Sequence, residues 1–270
     1  MLTLVATPIG HLDDISKRAL QTLEACDAIL CEDTRRSSHL LEKYGIRKRL
    51  ISYDKFKEKK RLNSILKDLE GGAHLALISD AGTPCINDPG WLLVQACIEK
   101  GIPLSAIPGP CSIIQALVLS GMETERFQFI GFLPKKPEKA LRQAFAYPGT
   151  TVAFDSPERI VETAKVAQKL DPERRLAVVR EMTKVFEECI RGKPGELLAH
   201  FQKAAPRGEM VLVIGAGPMA PQEMPIEEVV ELLQEFFGLS LKEAIKAAAR
   251  FLNQPKRAVY KSLIGTSSKN

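Results

Sequence analysis

No C-x-x-C pair occurs among the six cysteines, and the four histidines are scattered without ligand spacing. Cys26, Cys31, Cys85, Cys97, Cys111 and Cys189 fall in expected strands, helices and one loop, so neither a disulfide framework nor a zinc site is suggested. No metal is expected. No apolar run approaches the roughly 18–20 residues that cross a bilayer. The first residues, Met1 to Val5, lack the basic n-region of a signal peptide. The expected location is therefore cytoplasmic, with no membrane partner. Internal repeats are absent, no G-x-G-x-x-G follows the first strand, and no G-x-x-x-x-G-K-[ST] or G-x-S-x-G occurs. These absences disfavour a nicotinamide enzyme, a P-loop NTPase and a serine hydrolase of the nucleophile-elbow kind.

What is present is an ordinary globular composition, 45% hydrophobic and 26% charged over 270 residues. That length suits one large or two medium domains. The chain is organised around Leu75 to Gly90. Leu75–Ile78 is a continuous apolar run, as expected of a strand buried on both faces of a parallel sheet. Asp80-Ala81-Gly82-Thr83-Pro84 breaks the strand, and Asp88-Pro89 reads as an N-cap and N1 proline opening a helix that stops near Gly101. Strand, polar loop and helix in succession mark the place where an open α/β sheet holds a ligand. A tight connection that binds nothing has the same residues.

Strands at Leu2–Ala6, Ala28–Cys31, Leu50–Ser52, Ile102–Ile107 and Phe127–Phe132 alternate with helical patterns, which predicts a doubly wound parallel sheet over 1–133. The two prolines and charges of Leu133–Pro137 mark a boundary. Over 134–220, strands at Thr150–Phe154, Leu176–Arg180, Val185–Ile190 and Met210–Ile214, with a helix capped by Ser156-Pro157, predict a second α/β domain with a mixed sheet. Pro218, Pro221 and Pro225 lead into 221–270, a basic helical appendage with helices near 226–237, 241–252 and 255–264 and a disordered end at Ser267–Asn270.

The net charge of +5 is unevenly spread. Between Lys43 and Arg61 nine cations face only Asp54 and Glu58, with Tyr44, Tyr53 and Phe56 interleaved. Such a stretch lies along phosphates or forms a solvated helix face. Three strand-end turns remain for chemistry: Thr7–Gly10, Asp80–Pro84 and Pro108–Ser112. Walls of backbone with one carboxylate suit a flat, largely neutral ligand such as a nucleoside.

Val5-Ala6-Thr7-Pro8-Ile9-Gly10, Cys31-Glu32-Asp33-Thr34-Arg35, Ile78–Gly90, Ile107-Pro108-Gly109-Pro110, Gly131–Pro134 and Arg180-Glu181-Met182-Thr183-Lys184 stand in order along the chain. Together they resemble the ribosomal RNA small subunit methyltransferase I family of the tetrapyrrole (corrin/porphyrin) methylase superfamily. The resemblance runs over essentially the whole chain. It departs from the family pattern at His11, Cys85, Asn87, Cys111-Ser112, Asp155 and Glu158. It implies a homodimer with two α/β domains and S-adenosyl-L-methionine in the cleft between them, plus the small C-terminal helical appendage. The implied reaction is 2′-O-methylation of a decoding-region cytidine of 16S rRNA in the small ribosomal subunit. Superfamily members acting on a tetrapyrrole or on a modified protein histidine are the alternative. Carried over by motif, the cofactor pocket comprises Pro8, Asp80, Ala81, Gly82, Cys111, Ser112 and Met182. The hydroxyl proton would pass to Glu32, Asp33 or Lys184, with Glu181 also in reach of the role; as caps or ion-pair partners the acids would only fix loops. Arg35 and Arg159 suit phosphate, as do Arg49, Lys57, Lys59, Lys60, Lys256 and Arg257.

Overall fold

The computed structural model describes residues 1–217, 225–252 and 254–266. Pro218, Pro221 and the Ser267–Asn270 end lie outside them. The first unit alternates β1 (Leu2–Val5), α1 (Lys17–Ala25), β2 (Ala28–Cys31), α2 (Thr34–Lys43), β3 (Arg49–Ser52), α3 (Glu58–Glu70), β4 (Leu75–Leu77), α4 (Trp91–Glu99) and β5 (Leu104–Ile107). Its five strands form a parallel sheet in the order β3-β2-β4-β1-β5. The period of two along each strand decides the packing. Leu75 and Leu77 join the core under α3 and α4, whereas Ala76 and Ile78 join the core with Leu23, Leu40 and Leu41 of α1 and α2. Both faces are covered, which is why β4 reads as an unbroken apolar run.

The second unit comprises β6 (Phe127–Phe132), α6 (Glu138–Ala146), β7 (Thr150–Asp155), α7 (Ile160–Leu170), β8 (Leu176–Arg180), β9 (Glu188–Gly192), α8 (Pro194–Lys203) and β10 (Met210–Ile214). The sheet order is β6-β7-β10-β8-β9, with only the β6–β7 pair parallel. One face packs Leu141, Phe145, Ile160 and Leu197 of α6, α7 and α8. The other face, Val152, Ala177, Val179, Val211 and Val213, is covered by Ile113, Ala116 and Leu117 of α5 (Ser112–Ser120). This helix leaves the first sheet at β5 and lies on the second, so a single apolar helix joins the two units beside the cleft.

Past Pro225, α9 (Ile226–Phe237), α10 (Leu241–Phe251) and α11 (Lys256–Thr266) enclose a core of their own around Val230, Ile245, Ala248 and Val259. A capping box between Ser240 and Glu243 starts α10. Ion pairs from Lys139 to Glu231 (3.4 Å) and Glu235 (3.5 Å) attach α9 to α6.

The elements differ from the sequence expectation at four places. Phe127–Phe132, grouped above with the first sheet, pairs with β7; its pattern of residues cannot tell which sheet edge it joins. The helix after Asp88-Pro89 starts at Trp91, with Gly90 as N-cap at φ 133°. Ser156-Pro157 forms a turn ahead of α7, since Ile160 N–H donates to the Ser156 carbonyl (2.9 Å) and Arg159 is the N-cap. The strand expected from Val185 begins at Glu188, because 181–187 is a hydrogen-bonded loop.

Candidate active site

The three strand-end turns converge. Thr7 and Gly82 exchange backbone hydrogen bonds (2.9 and 3.0 Å), which ties the turn after β1 to the loop after β4. Thr83 donates from its hydroxyl to the Pro110 carbonyl (3.2 Å), adding the turn after β5. Gly82 holds φ +80°, and a Cβ there would meet Ile9; a Cβ on Gly109 would press on Ala6. These turns need glycine for conformation and for close approach. The second unit closes the other side, leaving a cleft of about 600 Å³ between the units.

Asp80, Ala81, Gly82, Cys111, Ser112 and Met182 all line this cleft. Pro8 is buried beside it, and its neighbour Ile9 reaches the surface of the cleft instead. The walls carry more charge than the turns alone suggested: Asp80, Asp88, Asp155, Glu181 and Glu209 against Arg36 and Lys184. Three of those acids, Asp155, Glu181 and Glu209, come from segments that only tertiary folding brings to the turns. The loop residues Cys85 and Asn87 hold φ of 70° and 66°, a left-handed conformation costly for side chains other than glycine, on either side of Ile86, which with Asn87 lines the cleft.

Asp80 organises the base of the cleft. Its carboxylate accepts the Asp33 N–H (3.1 Å) and pairs with Arg36 (3.3 Å). Asp33 itself is the N-cap of α2, accepting the Arg35 N–H (2.9 Å) and the Arg35 guanidinium (2.8 Å). Those bonds, the guanidinium foremost, hold the Asp33 carboxyl down at about 2, so it is committed to its cap and is a poor proton acceptor at neutral pH. Glu32 is half-buried and shifted upward, first by burial and then by the Asp80 charge. Asp88, read above as a helix cap, is raised to about 6, again by burial first and then by Glu32. Glu32 does not line the cleft, whereas Asp88 does.

Opposite, the loop Glu181–Lys184 presses against the first turn. The His11 N–H donates to Thr183 Oγ1 (2.8 Å), and Gly10 leaves no room for a Cβ against Thr183, Met182 and Lys184. Lys184 lines the cleft with its ammonium on Glu181 (3.0 Å) and near Glu209 (3.8 Å).

The expected phosphate ligands are dispersed. Arg35 lies on a shallow groove with Arg36 and His39, which shares Arg36 with the cleft. Arg159 is on Asp155 (3.3 Å) at the end of β7. Lys57 is held by Asp54 (2.7 Å), and Arg49, Lys59 and Lys60 lie on β3 and α3. Lys256 and Arg257 open α11, where Lys256 borders a groove with Lys246 and Arg250. Of the interleaved aromatics, Tyr53 is buried and Tyr44 donates its hydroxyl to the Leu12 carbonyl (2.6 Å), so both belong to the fold; Phe56 alone is exposed, at 96%. Sequence reasoning missed Asp88, Arg36 and Glu209. Asp88 stands in the organising stretch itself and was open to being found; the other two were not.

Two sheets of this order flanking a cleft built on strand-end turns define the class. The chain belongs to the tetrapyrrole (corrin/porphyrin) methylase family, which residues 1–198 match, and is a methyltransferase of that family. Within it, the curated relatives are ribosomal RNA small subunit methyltransferase I. The protein of that name from Mesorhizobium japonicum is 39% identical over 97% of this chain and 91% of its own. The Thermotoga maritima protein is 42% identical over 79% and 97%, and that of Escherichia coli O157:H7 is 39% identical over 96% and 93%. Among solved structures, a diphthine synthase superposes with a TM-score of 0.65 at 14% identity, covering 87% of this chain and 96% of its own. Uroporphyrin-III C-methyl transferase from Thermus thermophilus, complexed with S-adenyl homocysteine, superposes with a TM-score of 0.55 at 20% identity, covering 79% and 96%.

Proposed function

We propose that this chain transfers a methyl group from S-adenosyl-L-methionine to ribosomal RNA of the small subunit, at the ribose 2′-hydroxyl of a decoding-region cytidine. The single observation that carries the reading is the cleft: three glycine-bearing turns that admit a nucleoside, within walls whose acids outnumber their cations. That donor set fits a cationic cofactor, because sulfonium and ammonium charges are held by carboxylates and not by an arginine-rich pocket. Asp80, Ala81, Gly82, Cys111, Ser112 and Met182 are the residues that would hold it. When bound, the cofactor supplies an electrophilic sulfonium methyl.

The rest is done by the chain. Alignment by fixed turns contributes most, since well-oriented reactants gain roughly 7–11 kcal/mol. Asp88 accepts the hydroxyl proton at its carboxylate; a group near pH 6 is charged at neutral pH yet basic enough to take it. The nearby Glu32 charge adds to burial in making that carboxylate more basic. Arg36, Arg35 and His39 receive the RNA backbone in the groove leaving the cleft, and Lys57, Lys59 and Lys60 with exposed Phe56 extend the track. Lys256 and Arg257 on α11 add phosphate contacts at a distance from the chemistry. Exposed Trp91 and Ile98 on α4 and Ile114 and Val118 on α5 support a homodimer that covers them. No helix among the described residues is long and apolar enough to cross a membrane, and a substrate of this kind puts the reaction in the cytoplasm.

The test is methyl transfer from labelled S-adenosyl-L-methionine to undermethylated small ribosomal subunits, beside free rRNA and a tetrapyrrole. Label recovered as 2′-O-methylcytidine from the subunit is the expected result; label in the tetrapyrrole alone would overturn it.

A further inference from the structure

We propose that the loop between β8 and β9 carries a nucleobase-stacking platform, Phe186 flanked by Val185, which holds one unstacked base of the substrate beside the cleft. The inference rests on the RNA reading above. Val185 is 93% exposed and Phe186 74%, two apolar side chains in water at the tip of a loop whose root residues Glu181, Met182 and Lys184 line the cleft.

The tip is exposed although the loop is braced. Glu181 and Thr183 hold φ of 51° and 63°, which ordinary side chains adopt only when their surroundings impose it. The Thr183 N–H donates to the Glu187 carboxylate (2.6 Å), the Lys184 N–H to the Glu181 carbonyl (3.0 Å) and the Glu187 N–H to the Lys184 carbonyl (3.0 Å). On one side the root is packed against Gly10; on the other, Gly208 leaves room only for the Glu181 side chain. At the base of the loop the Arg180 guanidinium pairs with Glu188 (2.7 Å). A loop braced this firmly on both sides of Val185-Phe186 holds that tip in place, and neither side chain contributes to a core.

The proposed chemistry requires such a surface. A ribose 2′-hydroxyl in structured RNA enters a cleft of this size only when its nucleotide leaves the stack. The uncovered base then needs a π-face, and an aromatic ring at the rim supplies one to any base. Most other exposed apolar side chains lie on the faces of α4, α5, α9, α10 and α11, whereas Ile86 and Phe132 line the cleft itself and are not raised above its rim on a loop.

The experiment compares Phe186→Ala, Phe186→Leu and Phe186→Trp in the full-length protein, with undermethylated small subunits as substrate and S-adenosyl-L-methionine affinity read by calorimetry. Phe186→Ala should lose about ten- to hundredfold in kcat/KM, chiefly through KM, with cofactor affinity unchanged. Phe186→Trp should recover the activity and Phe186→Leu should not, because leucine keeps the bulk and loses the π-face. Wild-type activity in Phe186→Ala, or full recovery by Phe186→Leu, would overturn the platform. A change of oligomeric state in Phe186→Ala on sedimentation would also overturn it, assigning the tip to a second copy. If the wild-type protein itself labels no RNA, the RNA reading fails and the platform with it, a result separable from the others because no variant is needed to see it.

Discussion

At the scale of single residues, Asp88 carries the sharpest expectations. Its carboxyl titrates near 6 in the folded protein against about 4 in an unfolded chain. The folded state therefore holds an extra proton between those values, and stability from this group falls as pH rises through that window. The cost is fully present at neutral pH. Asp88→Asn should raise neutral-pH stability by about 1–2 kcal/mol, the full linkage value reduced because the group is half-exposed to solvent. Urea midpoints of variant and wild type should differ most at pH 7.5 and converge near pH 4. The same substitution should lower kcat by about 10²–10⁴-fold, while wild-type kcat climbs through pH 6; a flat profile would remove Asp88 from the chemistry. Asp80→Ala has a different signature. It removes the acceptor of the Asp33 N–H and the partner of Arg36, so calorimetry should find cofactor binding lost while the melting temperature drops by only a few degrees.

At the scale of elements, the joint between the first turn and the β8–β9 loop is the place to probe. Gly10 has no space for a methyl group against Thr183 Oγ1 and the Met182 carbonyl. Gly10→Ala should cost about 1–3 kcal/mol in thermal unfolding through overpacking. Its loss of activity should exceed what that destabilisation explains, because the clash displaces Met182 and Lys184 from the cleft. The helix joining the units, α5, makes the same point in another way: its apolar residues serve the second sheet, although its first residues, Ser112 and Ile113, line the cleft.

At the scale of the molecule, charge is partitioned. The cleft is acidic within a chain of net charge +5, and clusters of cations lie outside it on α3, α10 and α11. Charge reversal at Lys57, Lys59 and Lys60 should weaken RNA binding and flatten its salt dependence by about one unit of slope per lost contact. Cofactor affinity should stay unchanged, and filter binding across a salt series reads both. The unit over 225–266 has its own core and is attached chiefly by exposed ion pairs, each worth at most about 1 kcal/mol. A chain ending at residue 217 should keep cofactor binding and lose RNA affinity; loss of both would show the unit to be part of the catalytic body.

Much of this was legible in the residues. The unbroken apolar runs at Leu75–Leu77 and Ala28–Cys31 required a sheet covered on both faces, and glycine and proline after β1, β4 and β5 required turns at one end of it. Local patterns also carried the helices over 226–266, since their spacing and capping are properties of consecutive residues. What tertiary structure alone decided is which distant segments meet. The edge that β6 joins, the acids that Asp155, Glu181 and Glu209 bring to the turns, and the shift of Asp88 to near 6 depend on burial and on charges far away in the chain. Tyr44, Tyr53 and Phe56 looked alike among the lysines, yet two were taken into the fold and one was left in water. A sequence specifies which residues prefer burial, but how far each is buried, and beside which charge, follows from packing of the whole chain.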